Sequence, residues 1–176
     1  MDARATSSFP ARHRARGAAH GFTLIEALVV MTIAGILAAV AMPSFSAFMA
    51  DQRARGVATD FVTALIAARS EAIKRNGNVT ITAATVGGSA NWGAGWVIAA
   101  ADGTQINRQD VPAGKLTGST TPANTNAIVF NGSGRMTIAG TLAVGLSGAS
   151  SDAGVTPRCV TIDLGGRPQL NKGACS

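Results

Sequence analysis

The chain has 176 residues and a formal charge of +6, which suits one modest domain with additional segments. Arg4, Arg12, Arg14 and Arg16 face Asp2 in the first 21 residues, leaving 11 Lys/Arg against 8 Asp/Glu, a net of +3, from Phe22 onward. His13 and His20 both lie in that first segment, there is no Tyr, and the only cysteines are Cys159 and Cys175, so the rest of the chain has no His general base, His metal ligand or Cys-His pair. Nothing clusters as a carboxylate or Ser-Lys site either, and the chain reads as a non-enzyme with no metal and no cofactor.

The first element is the run Phe22 to Ala50, 29 residues that carry one charge, Glu26. About 20 apolar residues span a bilayer. The arginines before it would keep the N-terminus cytoplasmic and send the rest to the periplasm of a Gram-negative cell. A second reading is a secretory signal peptide with a small-residue site at Ala39-Val40-Ala41 and a soluble protein starting near Met42. Against it stand an acid at the start of the apolar run and apolar character that continues through Phe45, Phe48 and Met49.

The stretch "GFTLIEALVVMTIAGILAAVAMPSF", Gly21 to Phe45, resembles the N-terminus of type IV pilins and type II secretion pseudopilins. The resemblance implies a leader, residues 1–21, removed by prepilin peptidase after Gly21, and N-methylation of the new N-terminal Phe22. Residues 22–50 would be a transmembrane segment that later forms filament core. Glu26 falls on the family's glutamate, which is thought to meet the N-terminal amine of a neighbouring subunit, offsetting the cost of burying either charge and setting register. The alternative for Glu26 is a carboxylate that snorkels to the membrane surface. Pro43 matches the family's proline and is expected to kink the helix or open a short non-helical stretch.

Residues 51–77 continue as an amphipathic helix. Val57, Phe61, Leu65, Ala68 and Ala72 form one apolar row, with Ala58, Val62, Ile66 and Ile73 beside it. Asp51/Arg55 and Glu71/Arg75 are opposite charges four apart. "RNGN" ends the helix, with Gly77 expected as its C-terminal cap. From Phe22 to Asn76 a continuous helix would be roughly 80 Å long.

Residues 78–176 form a β-rich periplasmic domain. Short strands are expected at 79–86, 95–100, 127–131, 136–140, 142–146 and 159–164, with turn-rich stretches at 117–126 and 147–154. A helix followed by short strands gives an α+β fold, an antiparallel sheet packed on the helix stripe. In "CVTIDLGGRPQL" a two-residue Gly165-Gly166 turn would set Arg167 on the apolar face. A three-residue loop of Leu164, Gly165 and Gly166 instead pairs Asp163 with Arg167 and Val160 with Leu170, with Gly166 left-handed. Cys159 then faces Asn171, so a Cys159–Cys175 disulfide, favoured in an oxidising compartment, needs the tail to fold back; two free thiols are the other reading.

"LIAARSEAIKRNGNVTI", "NWGAGWVI", "IVFNGSGRMT" and "CVTIDLGGRPQL", in that order, resemble the GspH/FimT branch of pilin-like proteins. The branch implies a low-copy minor pilin or pseudopilin in the inner membrane, single-pass, later built into a pilus or pseudopilus. Its implied partners are other pilins or pseudopilins, prepilin peptidase and the inner-membrane assembly platform. Some minor pilins of the branch capture DNA for natural transformation and carry a C-terminal Gly-Arg-x-Arg pattern. Here Gly166, Arg167, Pro168 and Gln169 lack the second arginine, with Arg158 and Lys172 as substitute cations. Arg167 as a plain partner of Asp163 is the competing reading. Trp92 and Trp96 are the aromatics available to a nucleic acid, unless they belong to the core.

Overall fold

The computed structural model describes residues 21–112, 116–138, 140–148 and 155–175; side chains are described except at 40–44. Of the expected leader, residues 1–21, all but Gly21 lies outside the described residues, as do Ala139 and most of the 147–154 turn. The chain divides into two units, 1–40 and 41–176.

In the first unit the backbone becomes helical at Leu24, where α1 (Leu24–Arg75) starts. Phe22, Leu24, Ile25, Leu28, Val29, Val30, Met31, Ile33, Ile36 and Leu37 are all exposed. Their positions go all round the helix, so this part is apolar on every face and has no polar side to give to water. Among the described residues, whose side chains stop at Ala39 and resume at Phe45, no helix is long and apolar enough to cross a membrane. The backbone through Pro43 is helical, so the non-helical stretch expected there is not formed. Proline removes a single donor from the ladder, which a long helix can lose without ending.

In the second unit α1 becomes one-sided. Ala54, Ala58, Phe61, Leu65, Ala68 and Ala72 are fully buried, whereas Ile66 and Ile73, on the flank of the stripe, are half exposed. The helix ends in a Schellman motif: the Asn76 N–H donates to Ile73 O (3.2 Å) and the Gly77 N–H to Ala72 O (3.1 Å). The left-handed residue is Asn76, at φ 47°, and not Gly77 as expected. Asparagine tolerates this region better than other non-glycine residues, so the turn begins one residue early.

Among the described residues, two four-stranded antiparallel sheets replace the one expected. The strands are β1 (Val79–Val86), β2 (Ser89–Ala100), β3 (Gln105–Asp110), β4 (Leu116–Thr121), β5 (Ala127–Phe130), β6 (Leu142–Gly148), β7 (Arg158–Ile162) and β8 (Pro168–Lys172). Their orders are β3-β2-β1-β5 and β4-β6-β7-β8. β3 and β4 were not expected, because "QINRQD" and "LTGSTT" are polar edge strands without an apolar alternation. The strand expected at 136–140 is reduced to a bridge from Met136 to Phe130. The chain there leaves the first sheet for the second and can pair only briefly.

The sheets meet where β2 leaves β1. The pairing passes from Ala83↔Trp96 to Ala84↔Asn91, leaving residues 92–95 without a β1 partner. Asn91 Oδ1 accepts the N–H of Gly93 and of Gly118, each at 2.8 Å. A Cβ on Gly93 would meet the Leu116 backbone at 2.7 Å, and one on Gly118 would meet Trp92 Cβ at 2.8 Å. One core joins the helix and both sheets, with Phe61 at its centre against Trp92 (ring centroids 5.2 Å) and Trp96 (5.0 Å). Both tryptophans are therefore core residues, and the Trp92 indole N–H is spent on Thr125 O at 2.9 Å.

Candidate functional site: processing motif, helix junction and C-terminal hairpin

Three places hold the residues singled out from the sequence. At the first, Gly21 and Phe22 are exposed ahead of the helix. Thr23 is the N-cap: its Oγ1 accepts the Glu26 N–H at 3.2 Å, and its carbonyl accepts the Ala27 N–H. Glu26 thus occupies the third helical position of a Thr-x-x-Glu pattern, where the positive end of the helix dipole favours a carboxylate. Thr23 was not singled out from sequence, although the spacing in "TLIE" carries the signal.

The second place joins α1 to β7. The carboxylate of Asp51 was expected to pair with Arg55 one turn on. Instead it takes Arg158 Nη2 at 3.2 and 3.0 Å and the Thr156 N–H at 3.1 Å. A helix-surface pair contributes a few tenths of a kcal/mol, so a partner held by the fold with an additional backbone donor wins. Arg158 is only 12% exposed. Burial pushes the Asp51 carboxyl up, but the Thr156 N–H and the Arg158 guanidinium outweigh it and hold the pKa below the ordinary value. Glu71 does form its expected pair with Arg75 (2.9 Å) and adds Lys74 (3.3 Å).

The third place is the β7–β8 hairpin. Val160 pairs with Leu170 and Cys159 with Asn171, the register of the three-residue loop. Gly166 has φ 73°, and its N–H donates to Asp163 O at 2.8 Å. Asp163 accepts the Arg167 N–H and Nε, each at 2.9 Å. The Arg167 N–H, against partial burial, holds the Asp163 carboxyl below its ordinary value, with help from the guanidinium. The tail folds back, and Cys159 and Cys175 are joined in a disulfide.

The candidate cations do not gather. Arg158 and Lys172 are directly opposite on β7 and β8. Arg158 turns to Asp51 and Lys172 is exposed. Arg167 lies five residues along the hairpin from that pair, about 17 Å away at strand spacing. Its neighbour in space is another turn. A Cβ on Gly166 would strike Gly134 O, so these two backbones touch and bring Arg135 toward Arg167. Among the described residues no group of His, Cys, Asp and Glu could hold a metal ion.

A long N-terminal helix, apolar all round at its start and seated by one face on antiparallel sheets, defines a pilin-like α+β fold. The same fold is found in crystal structures of the Pseudomonas aeruginosa (strain PAO1) type IV minor pilin FimU. One crystal form is 22% identical over 70% of this chain and 92% of that chain, with a TM-score of 0.57. The other is 23% identical over 66% and 91%, with a TM-score of 0.53. The family model described as type II transport protein GspH matches residues 57–166, and the prokaryotic N-terminal methylation motif matches residues 16–42. The chain belongs to the GspH family. No curated protein matches it. Its family and fold are those of structural pilins and not of enzymes.

Proposed function

We propose that this chain is a minor pilin or pseudopilin, cut by prepilin peptidase after Gly21 and methylated on Phe22. It is held in the inner membrane by residues 22–50, with the β-rich domain in the periplasm. The assembly platform then builds it into a type IV pilus or a type II secretion pseudopilus. The observation that carries this reading is the helix start, apolar on every face from Phe22 to Leu37 apart from Thr23, Glu26 and Thr32. Such a surface needs lipid first and other helices later. Glu26 is the charge that pairs with a neighbouring subunit's amine and fixes the stagger, and Pro43 is where the helix bends. Glu26→Ala should insert normally and be absent from purified filaments; incorporation at the wild-type level would refute the register role. Mass spectrometry of the mature protein should find methylated Phe22 at its N-terminus, and a start near Met42 would refute processing after Gly21.

DNA capture is the second reading. In its favour Arg167 is 74% exposed and lies beside the turn that carries exposed Arg135. Arg158, committed to Asp51, and the two buried tryptophans take no part in it. A salt-titrated mobility-shift assay should show binding at low ionic strength that falls in Arg167→Ala. Binding unchanged by that substitution would remove the hairpin from the DNA reading.

A further inference from the structure

Within the second unit, α1 changes character over about one turn. Phe45, Phe48 and Met49 are exposed apolar side chains, and the next exposed large side chains are Gln52, Arg53 and Arg55. Neither guanidinium has a partner among the described residues. The reason for Arg55 is specific: its natural helix partner, Asp51, is drawn away by Arg158 and by the Thr156 N–H. The β-rich domain thereby leaves a positive charge uncovered on the helix.

The two arginines are two residues apart, so they point about 200° apart around the axis and differ by only about 3 Å along it. Ala54 between them is fully buried against the domain. Arg53 and Arg55 therefore lie on opposite flanks of the helix at one level. A single docking partner would touch one flank. A plane of headgroups surrounds a helix and touches both.

We infer that Arg53 and Arg55 form a cationic collar that binds the phosphates of anionic phospholipids and fixes how far the helix sinks before assembly. The ligand class is the anionic glycerophospholipid headgroup, met by planar guanidinium forks suited to phosphate. The inference rests on the reading that residues 22–50 lie in a bilayer. When the subunit moves into a filament the collar exchanges lipid for water, which exposed arginines accept at little cost.

The test uses the full chain in detergent, with phosphatidylglycerol and phosphatidylcholine of equal acyl chains as probes and bound lipid counted by native mass spectrometry. The wild type should prefer phosphatidylglycerol. Arg53→Gln and Arg55→Gln should each reduce that preference about fivefold, the usual contribution of one basic side chain near an anionic surface. Arg158→Gln should lower it too, by returning Asp51 to Arg55, and no change in that variant would overturn the role given to Asp51. Equal binding of both lipids, or a preference untouched in the double variant, would overturn the collar and leave the arginines to a protein partner or to solvent. Alkaline extraction of native membranes separates the two readings. A chain that resists extraction but shows no lipid preference sinks the collar alone, whereas a chain that is extracted sinks the membrane reading beneath it.

Discussion

Arg158 and Asp51 are 107 residues apart in sequence, and their side chains meet at 3.0 Å where α1 passes β7. The contact ties the last sheet to the point where the helix turns from an apolar rod into a one-sided core element. Arg158 Nε is buried without a hydrogen-bond partner, so this guanidinium depends on Asp51 for compensation.

Asp51→Ala should therefore destabilise the fold by about 2 kcal/mol, less than the cost of breaking a fully buried pair because Asp51 is 28% exposed. The pH dependence follows from the lowered pKa of Asp51. Its folded-state pKa lies below its unfolded one, so its contribution is complete above about pH 4 and is lost as pH falls through the lowered value. Asp51→Asn should flatten the acid limb of the stability profile and leave it unchanged in shape near neutrality. Thermal melts across that pH range check both points.

Phe61 is fully buried between the two tryptophans. Phe61→Ala should cost about 3–5 kcal/mol, as aromatic truncations in closed cores do. Trp92 and Trp96 are the only tryptophans in the chain, so their emission should shift to the red in the folded variant as water reaches the cavity. An unshifted spectrum with native stability would contradict the packing.

Two glycines should respond in opposite directions. Gly166 has φ 73° and its missing Cβ is replaced by Gly134 O and the Phe130 ring. Gly166→Ala should destabilise by about 2 kcal/mol or more, from the left-handed backbone and the clash together. Gly56 is helical, and nothing lies within 4 Å of where a methyl group would sit. Gly56→Ala should stabilise by about 1 kcal/mol, the difference in helix propensity. Denaturant midpoints of the two variants, compared with wild type, provide the check.

The Cys159–Cys175 disulfide closes a loop with a sequence separation of 16. A loop of that size stabilises by about 3 kcal/mol in the chain-entropy account. The double Cys→Ser variant should melt at lower temperature by the same amount as reduced wild type. A reductant should then have no further effect on the variant.

Much of this protein is written locally. The apolar run with its single Glu26, the Thr-x-x-Glu start, the 3.6-residue stripe from Ala54 to Ala72 and the Gly165-Gly166 hairpin each depend on neighbours within a few residues. Periodicity and turn chemistry report such neighbours directly, which is why the helix, β1 and the final hairpin register could be read from the chain. The division into two sheets could not, because it turns on Asn91 gripping Gly93 and Gly118 across a gap in sequence. The polar edge strands β3 and β4 show no apolar alternation because neither buries a whole face: in β3 only Ile106 is even half-buried, and in β4 only Leu116 is buried. Asp51 offered two partners, and sequence favoured Arg55, four residues away. The tertiary structure decided for Arg158, since folding had already brought that guanidinium and the Thr156 N–H to the carboxylate.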